Sequence, residues 1–334
     1  MAKGLLGGTV PPRPLFLPIV FSLGAKVENV PLGAFLGNPT KISSALRQMR
    51  THLRADGVAC YFDPYLEVEA LGATLGRITD DQRPTFDWPR LAQTGELPEG
   101  LRSPEEAAKN GRVPVAVEVI RRMNAVANRD FLLMAGVTGP LTLAARITQS
   151  EQKDPLPSEE LSDAAKELAA TVVTEMARTF LEAGADTIII QEESVPALSA
   201  ESCEAWANLV APTINVVRFY EALPLLLVTG APFSDENWEL IFREHRDCVK
   251  CAPAEVIASR RRGASSATDG TPFGIALPLD AFRPEGAYDR SCWQDIETRM
   301  SDLSPSVVTT SGDVPVATDM KHLIKVLEGI PRTV

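Results

Sequence analysis

The sequence predicts a parallel (β/α)8 barrel, a TIM barrel, on three observations. Eight short β-rich runs recur along the chain, amphipathic or polar stretches of helix length separate them, and several runs are nearly continuous in apolar residues. Strand–helix alternation implies parallel strands, because each return crossing is taken by a helix. Near-continuous apolar runs belong to strands buried on both faces. Eight such units suit a closed ring better than an open sheet. A chain of 334 residues fits one barrel and builds a core that needs no disulfide staples, so a single domain over 1–334 is expected.

In chain order the predicted strands are 15–21, 57–62, 131–137, 186–190, 224–228, 247–252, 272–277 and 306–310. Helices are predicted over 41–54, 158–183, 199–221, 236–245 and 319–327, each in a gap between strands or after the last one. One stretch breaks the alternation. Residues 79–112, rich in proline and charge, form a long insertion between the second and third strands, where a barrel places loops that shape its active site. It reads equally as a solvated insertion without a role. The polar stretch 260–270, with three arginines, reads as a surface turn capping a helix.

Composition narrows the function. Forty-four acidic against 33 basic residues give a formal charge of −11, which argues against a nucleic-acid or anionic-membrane binder. Hydrophobic residues at 45 % and charged residues at 23 % are too apolar for disorder. The glycine- and proline-broken N-terminus lacks the apolar core of a signal peptide, and no apolar run approaches the ~20 residues that cross a bilayer. Five cysteines, an odd number without a paired framework, suit a reducing cytoplasm.

In such a barrel the reacting groups stand at the C-terminal ends of strands. Reading those ends in order gives Ser22 and Lys26; Asp63, Tyr65, Glu67 and Glu69; Thr138, Thr142 and Arg146; Gln191, Glu192, Glu193 and Ser194; Thr229; Cys251; Asp280; and Ser311 and Asp313. Asp63, between Phe62 and Tyr65, is the most pointed: a carboxyl there can serve as general acid or base, or hold a positive charge on substrate. Asp before Pro64 is also a common helix start. Glu192 and Glu193 close a buried run. Strand alternation turns one of them to the barrel axis, while the alternative is an acidic helix N-terminus. With Asp63 they would make an acidic mouth, suited to a cation, a metal or a proton donor. Glu67 and Glu69 point apart at a helix start, so at most one faces the pocket.

His245, Cys248 and Cys251 offer soft donors of the kind zinc takes. Two cysteines three apart on a strand point to opposite faces, however, so no metal site is expected there. Cys251 alone can line the pocket. His52 and His322 fall in helices and read as surface or packing residues. No phosphate loop, nucleophile elbow or dinucleotide fingerprint is present.

Four stretches, 56–72, 139–146, 181–192 and 310–324, resemble the superfamily of uroporphyrinogen decarboxylase and the corrinoid-dependent methyltransferases, with order and spacing kept from about Pro14 to Ile330. The resemblance implies a (β/α)8 barrel and makes Asp63 the counterpart of the decarboxylase's key aspartate. The decarboxylase branch grips tetrapyrrole carboxylates with arginines after the first strand; here 21–26 contains none, and the branch's pocket tyrosine falls at Arg146. The methyltransferase branch is closer in wording. Its thiol-methylating members bind zinc through a His-x-Cys after the fifth strand and a cysteine after the eighth; here 228–231 and 310–312 keep no such ligand.

The resemblance therefore implies methyl (C1) transfer between a small methylated substrate and a corrinoid or tetrahydrofolate acting as co-substrate. Asp63 with Glu192 or Glu193 would polarise or protonate the leaving group, and Arg146 would orient an anionic part of the substrate or neutralise the carboxylates. No cofactor is expected to be tightly bound, and a corrinoid would arrive on a partner protein. The superfamily's frequent dimers make a homodimer an expectation. A cofactor-independent decarboxylase or lyase acting on a small non-tetrapyrrole acid, and a non-catalytic ligand-binding barrel, are the competing readings.

Overall fold

The computed structural model describes residues 5, 12–79, 84–88, 97–127, 130–148, 161–193, 200–229, 247–253, 272–282 and 305–328. Eight parallel strands run through them: β1 Leu15–Phe16, β2 Gly57–Tyr61, β3 Leu132–Thr138, β4 Thr187–Glu192, β5 Leu223–Val228, β6 Val249–Pro253, β7 Phe273–Leu277 and β8 Val307–Thr310. Their hydrogen-bonded order is β1-β8-β7-β6-β5-β4-β3-β2, so β3 to β7 each sit between their sequence neighbours and β8 returns to β1. With helices between the strands, this is the nearly closed (β/α)8 barrel expected from the alternation. Every residue of β2, β4, β5, β7 and β8 is buried, as sandwiching between interior and helices requires.

β1 is shorter than its apolar run. Pro18 has no N–H to donate, so the regular ladder with β8 stops at the Phe16–Val308 pair. Threonine hydroxyls on β8 carry the contact onward: Thr309 donates to the Leu17 carbonyl at 2.7 Å, and Ile19 N–H donates to Thr310 Oγ1 at 3.0 Å.

Where the ring closes between β1 and β2, Asp56 ties the two strands together. Asp56 N–H donates to the Phe16 carbonyl at 2.9 Å, and the Asp56 carboxylate accepts the Phe16 N–H at 2.8 Å. Arg13 grips the same carboxylate with two bonds of 2.7 Å. Asp186 repeats the device before β4, accepting the Leu133 N–H at 2.9 Å.

The helices start and stop where local chemistry directs. In α1, Pro39–Leu53, Asn38 caps the Thr40 and Lys41 amides with Pro39 in the first turn, and Arg54 ends the helix in the left-handed region. The short α2, Leu66–Leu71, follows β2. Next come α3, Val113–Ala127, and α4, Pro140–Thr148. Ser162 caps α5, Asp163–Ala183, and Gly184 at φ +108° stops it. Then come α6, Ala200–Phe219, and α7, Met320–Glu328. None of the described helices is long and apolar enough to cross a membrane. The helix predicted at 236–245 and the stretch 260–270 lie outside the described residues.

The described parts of 79–112 are built rather than loose. Phe86–Asp87 pairs antiparallel with Thr74–Leu75, and a capping box from Ser103 and Glu106 starts the helix Pro104–Ala107. Tyr65, Phe86 and Trp88 form an aromatic row at centroid spacings of 6.2 and 6.3 Å.

Replacing Asp56 removes the seam's carboxylate and leaves the Phe16 amide and Arg13 without their acceptor. D56A is expected to cost about 2–3 kcal/mol, the range of a hydrogen-bonded charge, read as a lowered urea midpoint at unchanged slope.

Candidate active site

The ends of β1, β2 and β8 meet around a cleft of about 260 Å³. Its polar wall is Ser22, Asp63, Tyr65, Thr79 and Asp313; Leu32, Leu36, Phe62, Ile78 and Val316 supply much of its apolar wall. The volume lies below the ~300–1,000 Å³ of pockets for drug-sized ligands, so the cleft suits a small molecule.

Asp63 stands at the end of β2 with its side chain 5 % exposed. Its Oδ1 accepts the Tyr65 N–H at 2.9 Å, which fixes the turn into α2. Its Oδ2 pairs with Arg112 Nη1. Arg112 Nε also donates to Glu69 Oε2 at 2.7 Å, so one guanidinium serves two carboxylates. Burial pulls the Arg112 pKa down, but Asp63, Tyr61 and Glu69 outweigh it and hold the group above its ordinary value. The helix-start and charged-group readings of Asp63 thus describe one side chain, with one oxygen for each.

Asp313 closes the cleft from the β8 side. Its two oxygens accept the Phe21 and Ser22 N–H groups at 2.7 and 2.8 Å, tying the loop after β8 to the loop after β1. Burial pushes its pKa up to about 7; bonds from Ser22 and Phe21 oppose the rise, and the Asp63 carboxyl adds to it. The acidic pair on this cleft is therefore Asp63 with Asp313.

The glutamates lie elsewhere. Glu192 points from β4 toward α4 and α6, with no exposed surface. Its carboxylate accepts the Leu141 and Thr142 N–H groups at 3.0 and 2.9 Å, the Thr142 hydroxyl at 2.6 Å and the Trp206 indole at 3.1 Å. Burial raises its pKa, and these four bonds pull the other way. A Cβ on Gly139 would collide with this carboxylate, so glycine is required there. Glu67 is 1 % exposed and accepts the Thr138 N–H and hydroxyl, each at 2.8 Å. Burial raises its pKa as well.

Glu193 pairs with Arg146 Nη2 at 2.7 Å. Arg146 also donates to the Pro64 carbonyl and lies 5.2 Å from the centre of the Tyr65 ring. The structure thus joins Tyr65, Arg146 and Glu193 beside the cleft, and neither Glu192 nor Glu193 lines it. Strand alternation turns one of the two to the barrel axis; in the structure Glu192 instead meets the amides at the start of α4, which need an acceptor, and Glu193 pairs with Arg146.

Among the other candidates, Gln191 is buried with its amide beside Gly312. Thr229 donates its N–H to the Glu192 carbonyl at 2.9 Å, and Ser311 N–H donates to the Leu277 carbonyl at 2.8 Å. Lys26 Nζ is held by the Thr318 carbonyl at 2.9 Å and does not line the cleft. Cys251 is fully buried against Gly274, in a packed position rather than on the cleft wall. Burial raises its thiol pKa well above the ordinary value and pushes Cys248 up to about 12. Ser194 and His245 lie outside the described residues.

At the strand ends where the resemblance would put zinc, Thr229 and 310–312 supply hydroxyls and backbone rather than imidazole and thiolate. That donor set does not fit zinc.

Sequence reasoning passed over Arg112 and Thr79. Arg112 ends the insertion, about fifty residues from its partner, and only folding brings the two together. Thr79 Oγ1 is buried on the cleft wall without a hydrogen-bond partner among the described residues. Gly111, at φ +58° just before α3, is the one local sign that the chain turns sharply to deliver Arg112.

Residues 7–228, more than half of the chain, match the family model described as uroporphyrinogen decarboxylase (URO-D). The chain belongs to that family. No curated protein matches it. Among solved structures it resembles a methyltransferase from Methanosarcina mazei at 17 % identity and a TM-score of 0.71, covering 98 % of this chain and 96 % of that one. A B12-independent methionine synthase from a Shewanella species follows at 12 % identity and a TM-score of 0.49, covering 87 % and 86 %. At these identities the likeness is one of fold.

Two outcomes test the geometry. E192A leaves four buried donors without an acceptor and is expected to destabilise the fold by about 3 kcal/mol or more, seen in chemical unfolding. Asp313, raised from an ordinary 3.8 to about 7, is protonated in the fold at pH values where the unfolded chain has already lost the proton. Its contribution to stability therefore falls as pH rises from about 4 to 7. D313N is expected to flatten that part of the stability–pH curve.

Proposed function

We propose that the protein is an enzyme moving a methyl group from a small methylated substrate bound in this cleft to a corrinoid or tetrahydrofolate acceptor, the corrinoid being brought by a partner protein. The observation that carries this reading is the character of the wall: two carboxyls, Asp63 and Asp313, set in apolar surface, with no cationic side chain among the described lining residues. A carboxylate-bearing substrate, as a decarboxylase requires, would face like charge there. A methylated nitrogen, sulfur or oxygen would find carboxyls able to hold the positive charge or proton that lets the heteroatom leave.

In methyl transfer the C–heteroatom bond breaks with its electron pair on the leaving heteroatom, while the acceptor supplies the pair for the new bond. The chain's own tasks are to position the donor, to exclude water with Phe62, Leu32 and Ile78, and to keep the leaving atom positively charged or protonated. Asp63, immobilised by Tyr65 N–H and Arg112, offers a fixed carboxyl for this, and such positioning is where most of the rate of an in-line displacement arises. Asp313, with a pKa of about 7, exchanges a proton with the leaving atom near neutral pH. The likeness to the Methanosarcina mazei methyltransferase supports the reading at the level of the fold.

The test is a screen of small methylated amines, thioethers and methoxy compounds with reduced free cobalamin as acceptor, followed by its absorbance. A donor that methylates cobalamin is expected, with D63N slowing the reaction on the order of 10²-fold. Turnover of a small carboxylic acid with release of CO2, and none of a methyl donor, would select the decarboxylase reading.

A further inference from the structure

Charge around the cleft is unbalanced in one direction. Asp63 and Glu69 share the single guanidinium of Arg112, and Asp313 stands on the opposite wall as a third carboxyl. Arg146, beside the cleft, is paired with Glu193 at 2.7 Å and does not line it, and the ammonium of Lys26 on the neighbouring loop is turned to the carbonyls of Ala317 and Thr318. Asp280, at the turn after β7, is exposed and adds no positive charge. Asp63 lines the cleft and Arg112, its ion-pair partner, does not.

The remaining wall selects among cations. A hard divalent ion wants six or more oxygens, and among the described residues no group of three His, Cys, Asp or Glu side chains converges to hold a metal. Here two carboxyls are interleaved with Leu32, Leu36, Phe62, Ile78 and Val316. Such a surface matches an ion whose charge is wrapped in methyl groups, as aromatic and aliphatic walls do for quaternary ammonium ions. Thr79 Oγ1, buried on the same wall and unpartnered among the described residues, is available to a polar atom of the ligand.

We propose that this cleft binds a small methylated organic cation, an ammonium or sulfonium of a few heavy atoms, with its charge between Asp63 and Asp313 and its methyl groups on the apolar wall. The proposal deepens the methyl-transfer reading by naming the donor class, and rests on that reading only in taking the cleft as the substrate site. A cation beside Asp313 favours its charged form, so binding between about pH 6 and 7 expels a proton.

The experiment compares three probes of similar bulk on the full chain at low salt: tetramethylammonium, tert-butanol and pivalate, with binding read by titration calorimetry. Tetramethylammonium is expected to bind at least tenfold more tightly than tert-butanol, with pivalate weakest. Repeating the titration at pH 6.5 in buffers of different ionisation enthalpy is expected to reveal proton release that D313N abolishes. D63N is expected to weaken the cation at least tenfold. Leu32→Trp, which fills the cleft and leaves every charge in place, is expected to abolish binding, and it keeps the test decisive should D63N fold poorly.

Equal or tighter binding of pivalate, affinity unchanged in L32W, or no binding of the cation would overturn the proposal. No methyl acceptor is present in these titrations. Cation binding without methyl transfer would thus refute the reaction and leave the site, and transfer from a neutral donor without cation binding would do the reverse.

Discussion

Asp56 closes the ring, and the cleft stands directly above the closure. β1 and β2 are the two ends of the ladder, and the Asp56 backbone and carboxylate join them at Phe16. Ser22 follows β1, Asp63 follows β2, and Asp313 follows β8, which pairs with β1. If the seam widened, Asp63 would separate from the Asp313–Ser22 pair, and the wall would lose its second carboxyl. Arg13, holding Asp56 by both oxygens, makes that aspartate a fixed post at the opposite end of the strands from the chemistry.

The chain's acidic side chains divide by what already satisfies them. Glu192 and Glu67 are spent on buried donors: helix-start amides, threonine hydroxyls and an indole. They organise the loops after β2, β3 and β4, so that Pro64, Arg146 and Tyr65 hold their places beside the cleft. Asp63 and Asp313 are also hydrogen-bonded, yet both line the cleft. That difference, rather than acidity itself, marks the candidate site.

Much of the scaffold was legible in the residues. The eight apolar runs gave the strands because a strand buried on both faces has no position for a polar side chain except near its ends. The Asp63–Pro64 step announced a helix start through chemistry confined to a few residues. The length of β1 was not legible from its apolar run, since Pro18 decides how much of the run can donate. Asp63 and Asp313 were named from strand ends alone, but their partnership was not, with 250 residues between them.

What the sequence determined by itself was the alternation, the parallel barrel it forces, the strand ends that can carry chemistry, and a resemblance to the family to which the chain belongs. These follow from short-range periodicity and local motifs, which act within a few residues. Only the tertiary structure decided which carboxylates are consumed as acceptors, that Arg112 pairs with Asp63, and that the cleft lies over the β1–β2 seam. Those facts depend on distances between residues far apart in the chain, and such distances exist only once the ring has closed.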